Sequence, residues 1–378
     1  MRVCYFGTYR EEYSRNRIMI EGLRRAGVEV VECHQSLWQG IEDRVKAASG
    51  GWLKPAFWKR LATTYWRLLQ QYRQIGDYDI LVVGYPGQMD VFLGRILSWI
   101  SRKPLVWDVF MSIYLITLER KLDRRSPFSA QLIRRLEWLA CRVPDRLILD
   151  TQEYVAWFQE THRVAPERFR LVPTGADDRI FHPIEIKGPP DSIFRVIFYG
   201  TFVAGHRVPY IIETARQLQH EPDLCIELIG DGPEKAAAEA LAQSYALANV
   251  KFYGWLEREA LTERLARADI CLGSFGYTLQ LMMTVQNKIY EGMALGKPVI
   301  TRDAPATRAV FKHGEEILFC DPDDPESLGR AILQLKHDPE LRARMGAQGH
   351  QRFLQGYTLA RIGQTYRRHL NEVIANAR

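Results

Sequence analysis

The sequence predicts an α/β protein built from two doubly wound, Rossmann-like units in tandem. Three observations carry this. Short apolar runs alternate with helical periodicity along nearly the whole chain, the pattern of parallel strands covered on both faces. A proline- and glycine-rich stretch at 183–193 interrupts that alternation midway. A length of 378 residues also exceeds one ordinary core and fits two of roughly 150–200 residues.

In the first series, strands are expected near 2–6, 28–33, 79–84, 104–108, 146–150 and 169–173. The opening run Arg2-Val3-Cys4-Tyr5-Phe6 starts it, and Val106-Trp107-Asp108 and Leu147-Ile148-Leu149-Asp150 each end on a carboxylate. Helical periodicity falls near 12–26, 55–74, 88–101, 126–142 and 152–161. The second series has strands near 194–199, 225–230, 250–253, 270–273, 298–301 and 317–320. Its helices are expected near 208–219, 233–246, 258–267, 286–295, 324–336 and 339–350. A tail from about 351 keeps an apolar helical face on Phe353, Ile362, Tyr366, Leu370 and Val373. The expected domains are therefore 1–185 and 186–350, with a closing helix over 351–378. Ligands of such sheets bind at the strands' C-terminal edges, so the two edges are expected to face a shared crevice.

Composition is that of a globular enzyme, 47% hydrophobic and 25% charged. The six cysteines form no C-x-x-C pair, and Cys4, Cys225 and Cys271 fall in expected strands. This points to reduced core thiols and a cytoplasmic protein rather than a disulfide framework. No signal peptide precedes the first strand, and no apolar run reaches the ~20 residues needed to span a bilayer. The charge is unevenly spread. Residues 1–190 hold 29 Lys and Arg against 22 Asp and Glu, while the rest hold 22 against 23. Residues 51–76 carry Lys54, Lys59, Arg60, Arg67 and Arg73 and no acid, interleaved with Trp52, Phe57, Trp58, Tyr65 and Trp66. Such a segment either lies on an anionic membrane surface or packs its aromatics into its own domain. No nucleic-acid module accompanies it, so nucleic acid is not an expected partner.

The stretch 284–301 carries most of the functional information. It reads as a short helix with Glu291 near its middle, a Gly296-Lys297-Pro298 stop and a buried strand. A helix opening onto a cleft offers N–H groups and a positive dipole end to an anion. Lys288 lies one turn before Glu291, so a phosphate-seeking cation and a hydroxyl-seeking carboxylate share one helix. That arrangement suits a sugar nucleotide. The alternative is a solvated i, i+3 ion pair.

The run Asn287-Lys288, Glu291, Met293-Ala294 and Gly296-Lys297-Pro298-Val299 resembles the donor-binding helix of the family-four retaining glycosyltransferases (group 1), which have the GT-B fold. Gly200-Thr201-Phe202 resembles that family's phosphate loop, and Gly230-Asp231-Gly232-Pro233 its second loop. Gly175-Ala176-Asp177 with Phe181 and Pro183 is similar to its interdomain signature. The resemblance implies a metal-independent hexosyltransferase that uses a nucleoside-diphosphate sugar as co-substrate and no further cofactor. It places Glu291 on the ribose hydroxyls, with Asn287, Lys288, Gly200, Thr201, His206, Arg207, Gly230 and Gly232 around the nucleotide. It also implies a glycan, lipid-linked or small-molecule acceptor, and a tail that crosses back to brace the first domain. An enzyme of this kind would sit in the cytoplasm, or peripherally on the inner face of the membrane.

Three departures from the family pattern stand out. The usual arginine after the first loop glycine is Thr201, and the lysine five positions later is His206. The family's sugar-facing glutamate, eight residues before Glu291, is Met283. Arg207 and Lys288 are the candidates to replace the missing diphosphate anchors, and these losses keep open a degenerate scaffold or partner subunit. Asp108, at a strand's C-terminal edge, is the candidate to orient or deprotonate the acceptor hydroxyl, alongside a turn-capping role. Asp150 is placed similarly and reads as the N-cap of helix 152–161. Arg15 or Arg17 is the candidate to contact an anionic acceptor or the donor phosphates, alongside a role as helix-surface arginines. Asp77-Tyr78-Asp79 reads as a turn before a strand rather than a metal site.

Overall fold

A computed structural model describes residues 1–11, 13–37, 51, 54–186 and 192–377. It divides into two compact units, Met1–Thr174 with Leu359–Arg378, and Gly175–Thr358. The division thus falls about ten residues before the one expected, and the closing helix starts at Leu359 rather than 351. Gly188, Pro189 and Pro190 of the expected linker lie outside the described residues, as does Trp52.

The first unit contains six parallel strands: β1 (Arg2–Gly7), β2 (Glu29–His34), β3 (Ile80–Val83), β4 (Leu105–Asp108), β5 (Arg146–Leu149) and β6 (Phe169–Leu171). They lie in the order β2-β1-β3-β4-β5-β6. Alternation sends Val3, Tyr5, Ile80, Val82, Val106 and Ile148 to one face. There they meet helix Ser14–Arg25 and the closing helix Leu359–Ala377, which contributes Ile362, Tyr366, Leu370 and Val373. The two helices touch backbone to backbone: a Cβ on Gly363 would overlap the Gly22 carbonyl. The opposite face is covered by helices Pro55–Tyr72 and Asp90–Ser101, with helix Pro127–Ala140 beside the latter. Phe6 meets Tyr72 edge-on, and Gly94 lies close to Leu81, Val83 and Leu105.

The second unit repeats the plan with β7 (Phe194–Tyr199), β8 (Leu224–Ile229), β9 (Val250–Tyr253), β10 (Ile270–Leu272), β11 (Val299–Arg302) and β12 (Leu318–Cys320). Their order is β12-β11-β10-β7-β8-β9, again all parallel. β7, β8 and β10 are nearly continuous apolar runs because helices bury both of their faces. Among the described residues, four short α-helices fall where no periodicity announces them: Ile113–Glu119, Leu122–Arg125, Leu279–Met282 and Pro305–Arg308. All six cysteines are free and buried. Among the described residues, no helix is long and apolar enough to cross a membrane.

Candidate functional site

The site in the second unit begins where β7 runs out into Gly200, whose φ of 136° only glycine adopts without strain. Phe202 then turns into the core and is 0% exposed. Its N–H donates to the Asp231 carbonyl at 2.8 Å, and its carbonyl accepts from Glu234 N–H at 3.1 Å. The loops after β7 and β8 therefore lie backbone against backbone. A Cβ on Gly230 would overlap the Gly200 carbonyl, and one on Gly232 would stand 2.6 Å from the Phe202 carbonyl oxygen. Gly230 and Gly232 are thus required by this close approach, and Gly200 by its own φ, whatever else they bind.

Helix Asn287–Ala294 buries Ile289, Tyr290 and Met293, with Gly292 seated against Val299 and Cys271. Its first turn has no side-chain cap. Lys288 is 8% exposed, and its Nζ makes no hydrogen bond. The ammonium lies 4.2 Å from the centre of the Phe198 ring and 3.2 Å from where a Gly200 Cβ would stand. Burial pushes it down to about 7, with Glu291 acting against that shift and Arg302 adding to it. The alternative reading, a solvated i, i+3 ion pair with Glu291, does not hold: Lys288 is covered and unpaired. Glu291 instead accepts the Tyr199 hydroxyl, whose own ionisation is pushed far up, by burial first and by Glu291 second. His206 joins the group: its Nδ1 is paired with the Thr201 carbonyl at 2.5 Å, while burial and then Lys288 push the imidazole down to about 3. It is a neutral ring, not a third cation. Thr201 is exposed at the same loop, and Asn287 opens the helix.

Two residues that sequence reasoning missed complete the group. Tyr199 ends β7 and orients Glu291. Arg302 ends β11 and is 2% exposed. It donates to the Ser274 and Leu281 carbonyls, while its Nε has no partner. Burial lowers it to about 10. The available signal was a cation closing an otherwise apolar strand at the ligand-binding edge of the sheet. Lys288 and Arg302 thus stand as two covered cations near one loop, and only Glu291 opposes Lys288. Burying such charges is unfavourable unless an anion completes the site.

Several expectations need correction. Arg207 does not join Lys288. Its guanidinium donates to the Pro322 carbonyl at 2.6 Å, reaches Asp323 at 3.3 Å and lies over the Tyr277 ring. Asp108, in the first unit, is not an available base: it is 0% exposed, with both oxygens held by Arg15 at 2.9 and 3.0 Å. Arg15 is equally buried and also donates to the Val172 carbonyl, so it is not an acceptor contact. The N-cap of helix Gln152–His162 is Thr151, not Asp150. Asp150 keeps both oxygens covered and without hydrogen-bond partners, and burial pushes it up to about 7. Met283 is a core residue at 5% exposure. Asp79 accepts the Arg2 N–H at 2.7 Å, as a turn residue would. Among the described residues, three metal-type side chains gather only at Glu11, Glu32 and His34, where Arg24 and Tyr9 already hold Glu32.

The chain is similar to known proteins over most of its length. Residues 184–352 match the family described as glycosyl transferases group 1, and residues 17–179 match glycosyltransferase family 4. A lipopolysaccharide core biosynthesis glycosyltransferase, LpsD of Rhizobium meliloti, is 27% identical over 183 residues, 48% of this chain and 50% of that protein. The chain spans about half the length of the first such relatives. Two crystal structures share its fold over nearly their full lengths. HepE of Anabaena, in complex with UDP, has a TM-score of 0.70 at 17% identity, covering 98% of this chain and 99% of that one. Sucrose-phosphate synthase from Thermosynechococcus elongatus has a TM-score of 0.74 at 16% identity, covering 100% of both. The chain belongs to the group 1 glycosyltransferases of the GT-B fold.

Proposed function

We propose that the protein transfers a hexosyl unit from a nucleoside-diphosphate sugar to an acceptor hydroxyl with retained configuration. The acceptor is a glycan, lipid-linked or presented at a membrane. The observation that carries this reading is Lys288, a covered ammonium without a hydrogen-bond partner, set against the Gly200 turn. A diphosphate there would supply the missing counter-charge. As the sugar bond breaks, charge grows on the leaving phosphate, and a preorganised cation in a covered site stabilises it most at that moment. Glu291, held by Tyr199, is the group for the ribose hydroxyls. The Anabaena structures with UDP and with UDP-glucose support a nucleotide donor, and the lipopolysaccharide-building relatives support a glycan acceptor.

Titration with UDP, GDP and ADP, followed by turnover of the matching nucleotide sugars, tests the reading. A second reading remains: a degenerate scaffold, favoured by Thr201, His206 and the buried Met283 in the family's charged positions. Nucleotide binding without turnover of any donor would select it.

Two expected results belong to this site. Glu291→Ala should weaken nucleotide binding about ten- to a hundredfold, the worth of roughly 1.5–3 kcal/mol of hydrogen bonding to a charged group. Unchanged affinity for every nucleotide, measured by calorimetry, would remove Glu291 from the site. The second concerns metal. With cations and backbone N–H groups assigned to the diphosphate, EDTA should leave most activity in place, and full loss restored by magnesium or manganese would overturn that assignment.

A further inference from the structure

Helix Pro127–Ala140 is built inside out. Its buried positions are Ser129, Ala130, Glu137 and Ala140, small or polar. Its outward positions include Phe128 at 72% exposure, Leu132 at 43%, Trp138 at 43% and Leu139 at 48%. A surface helix normally turns its apolar stripe inward. The inward carboxylate of Glu137 is fully employed, accepting from Ser112, from the N–H of Ile113 and from Gln88, and pairing with His162. Burial of the polar side is therefore accounted for, while the exposed apolar side is not.

The neighbouring helices continue the pattern. Gln88, just ahead of helix Asp90–Ser101, bonds to Glu137, and Arg95 on that helix donates to the Val143 carbonyl, so the two helices lie side by side. Helix Asp90–Ser101 exposes Trp99 at 70% and Ile100 at 74%. Tyr65 of helix Pro55–Tyr72 bonds to Asp90 at 2.5 Å, which sets the third helix beside it. That helix exposes Trp66 at 59%. Helices Pro55–Tyr72 and Asp90–Ser101 cover one face of the sheet, and helix Pro127–Ala140 lies beside the second of them.

Charge decides what this layer meets. The three helices contain only two carboxylates, Asp90 and Glu137, and these are 1% and 0% exposed. Lys59, Arg67, Arg134 and Arg135 are exposed on them. The exposed charges on the three helices themselves are thus all cationic, and acids enter only at the border, where Asp145 pairs with Arg95 and Asp77 with Lys103. Indoles and aliphatic side chains enter the boundary between headgroup and acyl chain, while arginines meet anionic headgroups. A second copy in a two-fold interface would bring arginine against arginine.

We propose that this three-helix face of the first unit is a docking surface for an anionic lipid bilayer. It extends the membrane-presented acceptor of the proposed reaction, and moves the contact from the 51–76 segment alone to a broader layer centred on 127–140. Lipid binding is read without turnover, so failure here leaves the transferase reading standing.

The test is co-sedimentation of the intact chain with vesicles of phosphatidylcholine alone or mixed three to one with phosphatidylglycerol. Binding is expected only to the anionic vesicles, with release at high salt. Arg134→Gln with Arg135→Gln should lower partitioning about thirtyfold. Leu132→Ser, Trp138→Ser and Leu139→Ser together should abolish it. These positions are exposed, and unchanged thermal melting verifies that the variants are folded. The proposal is overturned if the intact chain stays in the supernatant with anionic vesicles at low salt, or if both folded variants sediment as it does. A dimer in solution that the triple variant dissociates, with no lipid binding, would assign the face to a second copy instead.

Discussion

Lys288→Ala is expected to lower kcat/KM for the sugar nucleotide about a hundred- to a thousandfold, the usual loss when one preorganised group facing a developing anion is removed. The same change should weaken binding of the bare nucleoside little. The argument rests on where Nζ lies: 8% exposed overall, over the Phe198 ring, against Gly200, with no hydrogen bond of its own. Alanine removes a buried charge that no hydrogen bond within the chain satisfies, so the folded protein should be as stable as before. The pH dependence has a definite sign. With the free ammonium lowered to about 7, half of the molecules lack the charge near neutrality, and the fraction lacking it grows as pH rises. Bound diphosphate favours the charged form and raises that value. Diphosphate affinity should therefore fall between pH 6 and 8.5, and binding at pH 8 should take up a proton. Calorimetry in buffers of different ionisation enthalpy reads the uptake directly. Equal losses for nucleoside and nucleoside diphosphate would make Lys288 a structural partner of the helix rather than a phosphate group.

Much of this was legible in the sequence because the relevant signals are local. Most of the twelve described strands are apolar runs, and each is found within about two residues of its expected place. The donor helix was legible for the same reason: Lys288, Glu291 and the glycine stop lie within ten residues of one another. What stayed hidden is what depends on tertiary pairing. Nothing near Arg207 in the chain announces the Pro322 carbonyl, which is 115 residues away. Arg302 and Lys288 belong to different elements, and only the fold makes Lys288 feel the Arg302 charge. Helix Pro127–Ala140 was found, but a period of 3.6 marks an apolar stripe without saying which side faces the sheet. Here the buried hub at Glu137 turns the stripe outward. Asp150 and Thr151 were confused for a simpler reason: adjacent residues can both cap, and backbone geometry chose the threonine.

Asp108 illustrates the same limit, and it yields the second large effect. A carboxylate ending a strand at the ligand-binding edge of a parallel sheet reads as a catalytic group. In the folded chain it is one half of a buried pair with Arg15, 93 residues away, and both side chains are 0% exposed. Three hydrogen bonds join them, and the guanidinium also donates to the Val172 carbonyl at 2.8 Å and lies 5.1 Å from the Phe110 ring centre. Arg15 thereby ties helix Ser14–Arg25 to the ends of β4 and β6. Removing one partner of such a pair strands the other charge in the interior, and typically costs about 3–5 kcal/mol. That is a large part of the roughly 5–15 kcal/mol that holds a domain folded. Asp108→Ala should accordingly shift the first unit's unfolding transition to much lower urea, and leave nucleotide titration of whatever remains folded unchanged. Replacing the pair together, Arg15→Met with Asp108→Leu, should recover most of the loss, because apolar side chains of similar size need no counter-charge. A role in proton transfer makes the opposite forecast. It would leave Asp108→Ala as stable as the parent chain and inactive, and the double replacement would rescue nothing.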